Sequence, residues 1–143
     1  MDIREAKIED KKSILDIVSL LHIDMPGFVW DQDDFVTNQI QNKEYFVLED
    51  NNNIVAIMSL SKRKNKVSID TLAVIKEYQN RGLGSKLIEF AKQFSLDNGY
   101  NTLHAYSFAE YNAVNFYLNK SFEYFNRMGE YNGHRYDCFK INL

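Results

Sequence analysis

The sequence predicts a mixed α/β (α+β) fold: one domain over residues 1–143, with a mixed central β-sheet and helices on both of its faces. Three observations predict it. Three strand-like segments, "YFVLED", "IVAIMSLS" and "KVSIDTLAVI", are joined by "DNNN" and "KRKN", connections of hairpin length. A strand–turn–helix–strand unit then runs from "KVSIDTLAVI" through "KEYQNRGLGSKLIEF" to "TLHAYSF", and a meander followed by such a crossover implies a mixed sheet. No repeat, low-complexity tract or Pro/Ser-rich linker divides the 143 residues, a length usual for a single domain.

Each element has a local reason. "DIREAK" is a short strand candidate. Asp10 then stands as the cap of an amphipathic helix whose apolar positions Ile14, Ile17, Val18 and Leu21 recur at helical spacing. "HIDMPGFVW", which holds the single proline Pro26, breaks that helix, and "DQDDFVTNQIQ" reads as a weaker second one. After the three strands a helix begins at Gly82-Leu83-Gly84. Its stripe is Leu83, Leu87, Phe90, Ala91 and Phe94, and Asn98-Gly99 supplies a stop. "TLHAYSF" is a strand and "YNAVNFYLNKSF" a short helix, while "YFNRM" and "HRYDCFKINL" offer a closing hairpin. The expected order is β-α-α-β-β-β-α-β-α-β-β.

Composition narrows the function classes. Hydrophobic residues make up 45% and charged ones 26%, the balance of a globular chain rather than a disordered one. Ten phenylalanines, nine tyrosines and one tryptophan exceed what surface contacts use, so several are expected in the core or a pocket. A net charge of −3 argues against nucleic acid as a partner, and the basic run "KRKNK" reads as a solvated hairpin tip. Cys138 is the only cysteine, which rules out an intrachain disulfide. The charged start "MDIREAKIED" lacks a signal peptide's apolar stretch, and no window approaches a membrane span. A soluble, cytoplasmic protein with no membrane partner is expected. His22, His104 and His134 are scattered without ligand spacing, so no metal is expected. His134 and Cys138 lie about 13 Å apart along a strand, too far to act as a local pair.

The glycines of the turn raise the functional question. Glycine at a helix start costs about 1 kcal/mol relative to alanine, so something there requires unusual backbone angles or a bare backbone. The dinucleotide fingerprint needs a third glycine where this chain has Leu87. The P-loop needs Gly-Lys before Ser or Thr, and here the order is Gly84-Ser85-Lys86. What remains is Gln79-x-x-Gly82-x-Gly84 at the end of a strand. Bare backbone there lets an anion approach the free N–H groups of the first helical turn, helped by Arg81 and by Lys76 or Lys86. A tight connection with no ligand is the competing account.

"LAVIKEYQNRGLGSKLIEFA" resembles the acetyl-CoA-binding segment of the GNAT N-acetyltransferase superfamily, whose signature is Gln/Arg-x-x-Gly-x-Gly/Ala. "NAVNFYLNKSF" is similar to that family's Ala-x-x-Phe-Tyr-x-x-x-Gly-Phe helix, and the element order is the family's over essentially the whole chain. The resemblance implies acetyl-CoA as co-substrate and no metal. It implies that the backbone from Asn80 and Arg81 through Gly82, Leu83, Gly84 and Ser85 binds the coenzyme pyrophosphate, with Gln79 among the coenzyme-binding positions. Leu72, Ala73 and Val74 would pair with the pantetheine arm, and Ala113 and Phe116 match the second helix. Two positions depart from the pattern. Glu110 stands where an asparagine is usual, with Asn112 nearby as a substitute contact, and Ser121 stands where a glycine is usual.

The reaction so implied is direct attack of a primary amine on the thioester, without an acyl-enzyme. A lysine-like amine of pKa ~10.4 is neutral in about one molecule in 2,500 at pH 7, so a proton must be removed. Asp70 is the first candidate base and Glu110 the second, with His104 and Tyr106 weaker. Each also has an ordinary place as a sheet or surface residue. Tyr117 matches the family tyrosine that serves the departing thiolate. In "HIDMPGFVW", Asp24, Phe28 and Trp30 either receive a cationic amine or anchor the loop. The expected acceptor is a small-molecule or peptide amine, and a homodimer is possible by analogy. A non-catalytic acyl-CoA sensor that kept the fold is the alternative.

Overall fold

The structure, a computed structural model, describes residues 1–125 and 129–143. Its strands are β1 (Asp2–Glu5), β2 (Tyr45–Asp50), β3 (Asn53–Lys62), β4 (Val67–Val74), β5 (Thr102–Phe108), β6 (Glu123–Tyr124), β7 (Gly129–Tyr131) and β8 (His134–Asn142). Its helices are α1 (Lys11–Val18), α2 (Asp33–Gln41), α3 (Leu83–Asp97) and α4 (Val114–Asn119). The sheet order is β1-β2-β3-β4-β5-β8-β6, with β7 also on β8. Among the described residues only β4 and β5 pair in parallel, as the α3 crossover between them requires.

Alternation along the strands sends two apolar sets to opposite faces. Tyr45, Val47, Ile57 and Ala73 pack with Ile14, Ile17 and Val18 of α1 and Val36 and Ile40 of α2. Phe46, Leu48, Met58, Leu60 and Ile69 pack with Leu83, Leu87, Ile88 and Ala91 of α3. The expected mixed sheet with helices on both faces is thus what the chain forms. Helix α3 ends as its Asn98-Gly99 pair predicts: Gly99 is left-handed (φ 84°), and the Tyr100 N–H returns to the Ser95 carbonyl at 2.9 Å.

Two expectations need correction. Asp10 does precede α1, but its side chain caps nothing in that helix. It receives Arg4 Nη1 at 2.7 Å and the Lys7 N–H at 2.8 Å, because a cation and a free amide outcompete a helix end already served by the preceding turn. The closing hairpin is also displaced. Of "YFNRM", Tyr124 lies in a strand and pairs antiparallel with Phe139 of β8, Phe125 follows outside a strand, and residues 126–128 fall outside the described residues. The strand that hairpins onto β8 is β7, turned by Asn132 and Gly133, both left-handed (φ 48° and 86°), as a two-residue Asn-Gly hairpin requires.

Two irregularities of β4 shape the functional region. Its pairing with β3 steps from Leu60↔Ile69 to Ser59↔Thr71, so Asp70 is the extra residue of a β-bulge. Its pairing with β5 covers only Val67, Ser68 and Ile69. Beyond Ile69 the two parallel strands part.

Candidate active site

The gap between β4 and β5 is the floor of a cleft of about 580 Å³. β4 contributes Leu72, Ala73 and Val74, and the turn into α3 contributes Gln79, Asn80, Gly82, Leu83, Gly84 and Ser85. Asn112, Phe116 and Tyr117 close the opposite wall. The cleft therefore gathers eleven of the twelve positions expected around a coenzyme. The exception is Arg81, whose guanidinium lies 4.7 Å from the centre of the Tyr78 ring instead. The supporting cations expected from sequence also differ. Lys86 donates to the Met1 carbonyl, whereas Lys120, which sequence reasoning passed over, lines the cleft and sits over Phe116.

The two glycines of the turn have different reasons. Gly82 is left-handed (φ 80°) and a Cβ on it would meet nothing within 4 Å, so the turn is open on that side. Gly84 is helical, and a Cβ there would stand 2.7 Å from the Phe116 ring, so its bareness lets α4 close on α3. Gln79 holds the turn to the strand, donating from Nε2 to the Val74 carbonyl at 2.9 Å. The first bond of α3 runs from the Lys86 N–H to the Gly82 carbonyl at 3.1 Å, which leaves the N–H groups of Leu83, Gly84 and Ser85 without partners inside the helix. All three residues line the cleft, and such a helix start suits a phosphate-bearing ligand.

On the α1/α2 face lies a second cavity, of about 770 Å³. Phe28, Trp30, Phe108, Tyr111, Tyr131 and Tyr136 wall it, with Phe28 and Trp30 edge-to-face at 5.2 Å and Trp30 and Tyr131 at 5.3 Å. The loop that brings Phe28 and Trp30 is tied to the β7–β8 turn: Tyr131 donates to the Gly27 carbonyl at 2.7 Å and Asn132 to Pro26 at 2.6 Å. Trp30 thus both anchors its loop and lines the cavity, while Asp24 is exposed and outside the lining. Cavity and cleft share Leu21, Asp70, Thr71, Tyr106, Ser107 and Tyr111, so the two meet where β4 and β5 part.

Asp70 occupies that junction. Its carboxylate accepts from Ser68 Oγ at 3.0 Å and from Ser61 Oγ. Burial raises its pKa, opposed by those two bonds and by the charges of Arg63 and Lys66. Tyr117 is buried against Phe139, whose ring it stacks on at 4.8 Å. Burial pushes its phenol up, so its hydroxyl keeps its proton at neutral pH. Glu110 lies apart, lining neither cavity. It binds His134 Nδ1, and that bond holds its carboxyl below the usual range. His104 is buried and its pKa is pushed down to about 4 by desolvation, so at pH 7 it is neutral. Cys138 is buried with its thiol pushed up, as a small core residue would be.

Sequence reasoning missed Glu44, just before β2, and Ser61, Thr71, Phe108, Tyr131 and Tyr136, which come from five different strands; the six share no local motif. Among the described residues no group of three His, Cys, Asp or Glu side chains is placed to hold a metal ion, and no helix is long and apolar enough to cross a membrane.

The same architecture recurs in solved structures. Ard1 from Thermoplasma volcanium superposes with a TM-score of 0.84 at 15% identity, covering 99% of this chain and 97% of that one. The PaiA N-acetyltransferase of Thermoplasma acidophilum, solved in complex with coenzyme A, does so with a TM-score of 0.81 at 14% identity, covering 99% and 98%. These likenesses establish the fold. In sequence, the chain is 36% identical over 80 residues to a beta-lysine N(6)-acetyltransferase of Methanococcus maripaludis, a stretch that is 54% of this chain but only 29% of that relative. The acetyltransferase (GNAT) family model matches residues 14–124, from α1 through the glycine turn and α4 to β6. With that match spanning the parted strands, the turn and both cavities' shared residues, the chain belongs to the acetyltransferase (GNAT) family.

Proposed function

We propose that the protein is an acetyl-CoA-dependent N-acetyltransferase that acetylates a primary amine, the coenzyme lying in the cleft and the acceptor in the aromatic cavity. The observation that carries this is the meeting of the two spaces at Asp70 and Thr71, beside a helix start with unpartnered N–H groups. Coenzyme-like phosphates fit that start because Gly82 is open and Lys120 stands across the cleft. Acetyl-CoA, as co-substrate, supplies an activated acetyl carbonyl. The unpaired edge of β4 from Leu72 to Val74 would hold its arm as an added strand does.

Asp70 takes a proton from the bound ammonium, directly or through water. Its raised pKa makes the carboxylate a better base than an exposed aspartate. The amine nitrogen then bonds to the acetyl carbon, the carbon–sulfur bond breaks, and the second proton leaves the nitrogen for water or the departing thiolate. Tyr117 donates a hydrogen bond to the departing thiolate. With a thiol of pKa ~8.5 against ~10 for an ordinary phenol, full transfer is uphill by about 2 kcal/mol, and burial makes it steeper, so its role is stabilisation by a hydrogen bond. Glu110, engaged with His134 outside both spaces, is a poor second base. The acceptor class includes amines such as that in the relative's name.

Free-thiol release from acetyl-CoA across a panel of primary amines tests the activity. Amine-dependent release is expected, and Tyr117→Phe should lower turnover with little change in coenzyme affinity. Coenzyme binding without release for any amine would instead indicate an acyl-CoA sensor.

A further inference from the structure

Asp70 lies near two cations and pairs with neither. Arg63 Nε is 3.5 Å from Ser68 Oγ, and Ser68 Oγ is 3.0 Å from Asp70 Oδ1, so Arg63 Nε and Asp70 Oδ1 stand at most about 6.5 Å apart. Lys66 donates to the Tyr106 hydroxyl instead. Among the described residues neither cation forms an ion pair with Asp70.

What holds the carboxylate is a pair of hydroxyls. Ser61 of β3 and Ser68 of β4 are register partners, and Asp70 follows Ser68 by two residues on the same face. Ser68 Oγ bonds Oδ1 and Ser61 Oγ bonds Oδ2, one serine to each oxygen. An ionised carboxylate only accepts, so both hydroxyls donate. For Ser68 the direction is fixed twice, because the Arg63 Nε–H points at its oxygen and leaves its own hydrogen for Asp70. Ser68 is fully buried, so water cannot take its place.

A general base has two requirements that conflict. It must be desolvated enough to bind a proton tightly, yet be ionised and correctly aimed when the ammonium arrives. A direct bond to arginine would meet the second and defeat the first, since an adjacent opposite charge lowers a carboxyl pKa by about 1–3 units. Neutral hydroxyls aim the group without adding that charge. With one lone pair of each oxygen taken by a serine, the others remain for a ligand in the cavity or at its junction with the cleft, both of which Asp70 lines.

We propose that Ser61 and Ser68 are positioning residues for acetyl transfer, clamping Asp70 with its free lone pairs toward the acceptor amine, while Arg63 fixes Ser68 as a donor. This rests on the reading of Asp70 as the base. The other titratable groups of the cavity are Glu44, Arg63, Lys66, Tyr106, Tyr111, Tyr131 and Tyr136. Tyr117 and Lys120 face Asp70 from the cleft side. All of these stay as they are in the variants that test the clamp.

Carbon-13 NMR titration of the Asp70 carboxyl, assigned by its absence in Asp70→Asn, reads the clamp without any acceptor. In Ser61→Ala and in Ser68→Ala the midpoint is expected to rise by about one to two pH units, the loss of one bond to a charged group. Ser61→Thr, which keeps a hydroxyl, should titrate as the wild type does. The acid limb of kcat/KM against pH, for thiol release with the most active amine of the panel, should move up with the midpoint while coenzyme affinity stays. Midpoints unmoved in both alanine variants at unchanged unfolding temperature, or a Ser61→Thr midpoint as high as that of Ser61→Ala, would overturn the clamp even if Asp70→Asn abolishes turnover. Should Ser68→Ala not fold, the two Ser61 variants decide alone. A midpoint that moves while the acid limb does not would remove Asp70 as the base, and with it the serines' part in the reaction. Absence of release with every amine would sink the transfer reading, and the titration would still decide whether the serines hold Asp70.

Discussion

Replacing Gly84 with alanine sets two opposing effects against each other. Gly84 is not among the left-handed glycines, so alanine should gain about 1 kcal/mol of helix propensity. Against that, its Cβ would stand 2.7 Å from Phe116 Cε1 and 3.0 Å from Cζ, well inside the ~3.5–4.0 Å of a comfortable carbon contact. The ring must move, and overpacking of this kind costs about 1–3 kcal/mol, which leaves a net loss of up to about 2 kcal/mol. Urea unfolding of the wild type, Gly84→Ala, Phe116→Leu and the double variant measures it. Leucine removes the ring atoms in the way, so the two substitutions should couple by about 1 kcal/mol. An alanine variant about 1 kcal/mol more stable than wild type, with additive effects at 84 and 116, would refute the contact argument. Gly82→Ala offers the contrast. With a left-handed backbone and open space around its Cβ, it should cost about 1–2 kcal/mol of backbone strain and show no coupling to Phe116.

Other expectations follow from single residues. Ser121 is left-handed (φ 70°) at the end of α4, where the Phe122 N–H returns to the Tyr117 carbonyl at 3.1 Å, so Ser121→Gly should stabilise the chain by about 1 kcal/mol in the same unfolding assay. His104 has its folded pKa lowered from 6.5 to about 4, so the wild type should lose stability as pH falls through that window, and His104→Gln should flatten the loss. Asp70 has the opposite sign. Its folded pKa is raised, so the protonated form is favoured in the fold and stability drains away as pH rises from the unfolded value toward the folded one. The stability of Asp70→Asn relative to wild type should therefore grow from about pH 4 to pH 7, and the same variant should lose most of its turnover while coenzyme affinity stays. A pH-independent difference would mean that Asp70 is not desolvated.

Much of this was legible along the chain because the relevant patterns are local. The helical stripe of α3, its Asn98-Gly99 stop and the anion-suited turn each lie within a few consecutive residues, and the structure forms them there. The tail was less readable. Tyr124 of "YFNRM" does pair with β8, but the Asn132-Gly133 pair makes β7 the strand that hairpins onto it. The aromatic cavity left only a partial mark, Phe28 and Trp30 of "HIDMPGFVW". Phe28, Phe108, Tyr131 and Tyr136 are distant in sequence and meet only because β5, β7 and β8 stand side by side behind the 22–30 loop. Lys120 was passed over because its value lies in facing α3 across the cleft.

One signal in "VSIDTLAV" was present but not periodic. Val67, Ile69, Leu72 and Val74 all pack toward α3, a spacing of two, three and two where an even strand repeats every two. The extra step is Asp70. In a regular β4, Asp70 and Thr71 would face opposite sides of the sheet. With the bulge, Asp70 turns to Ser61 and Ser68 and reaches the aromatic cavity together with Thr71. Pairing with β5 ends at Ile69, the residue just before it. A bulge increases twist and bends its strand, which is what parting from a parallel neighbour needs. The same inserted residue therefore opens the cleft and supplies the carboxylate at its junction with the cavity. Removing residue 70 should accordingly do more than delete a base: it should restore even pairing and narrow the gap between β4 and β5, weakening coenzyme binding that Asp70→Asn leaves intact.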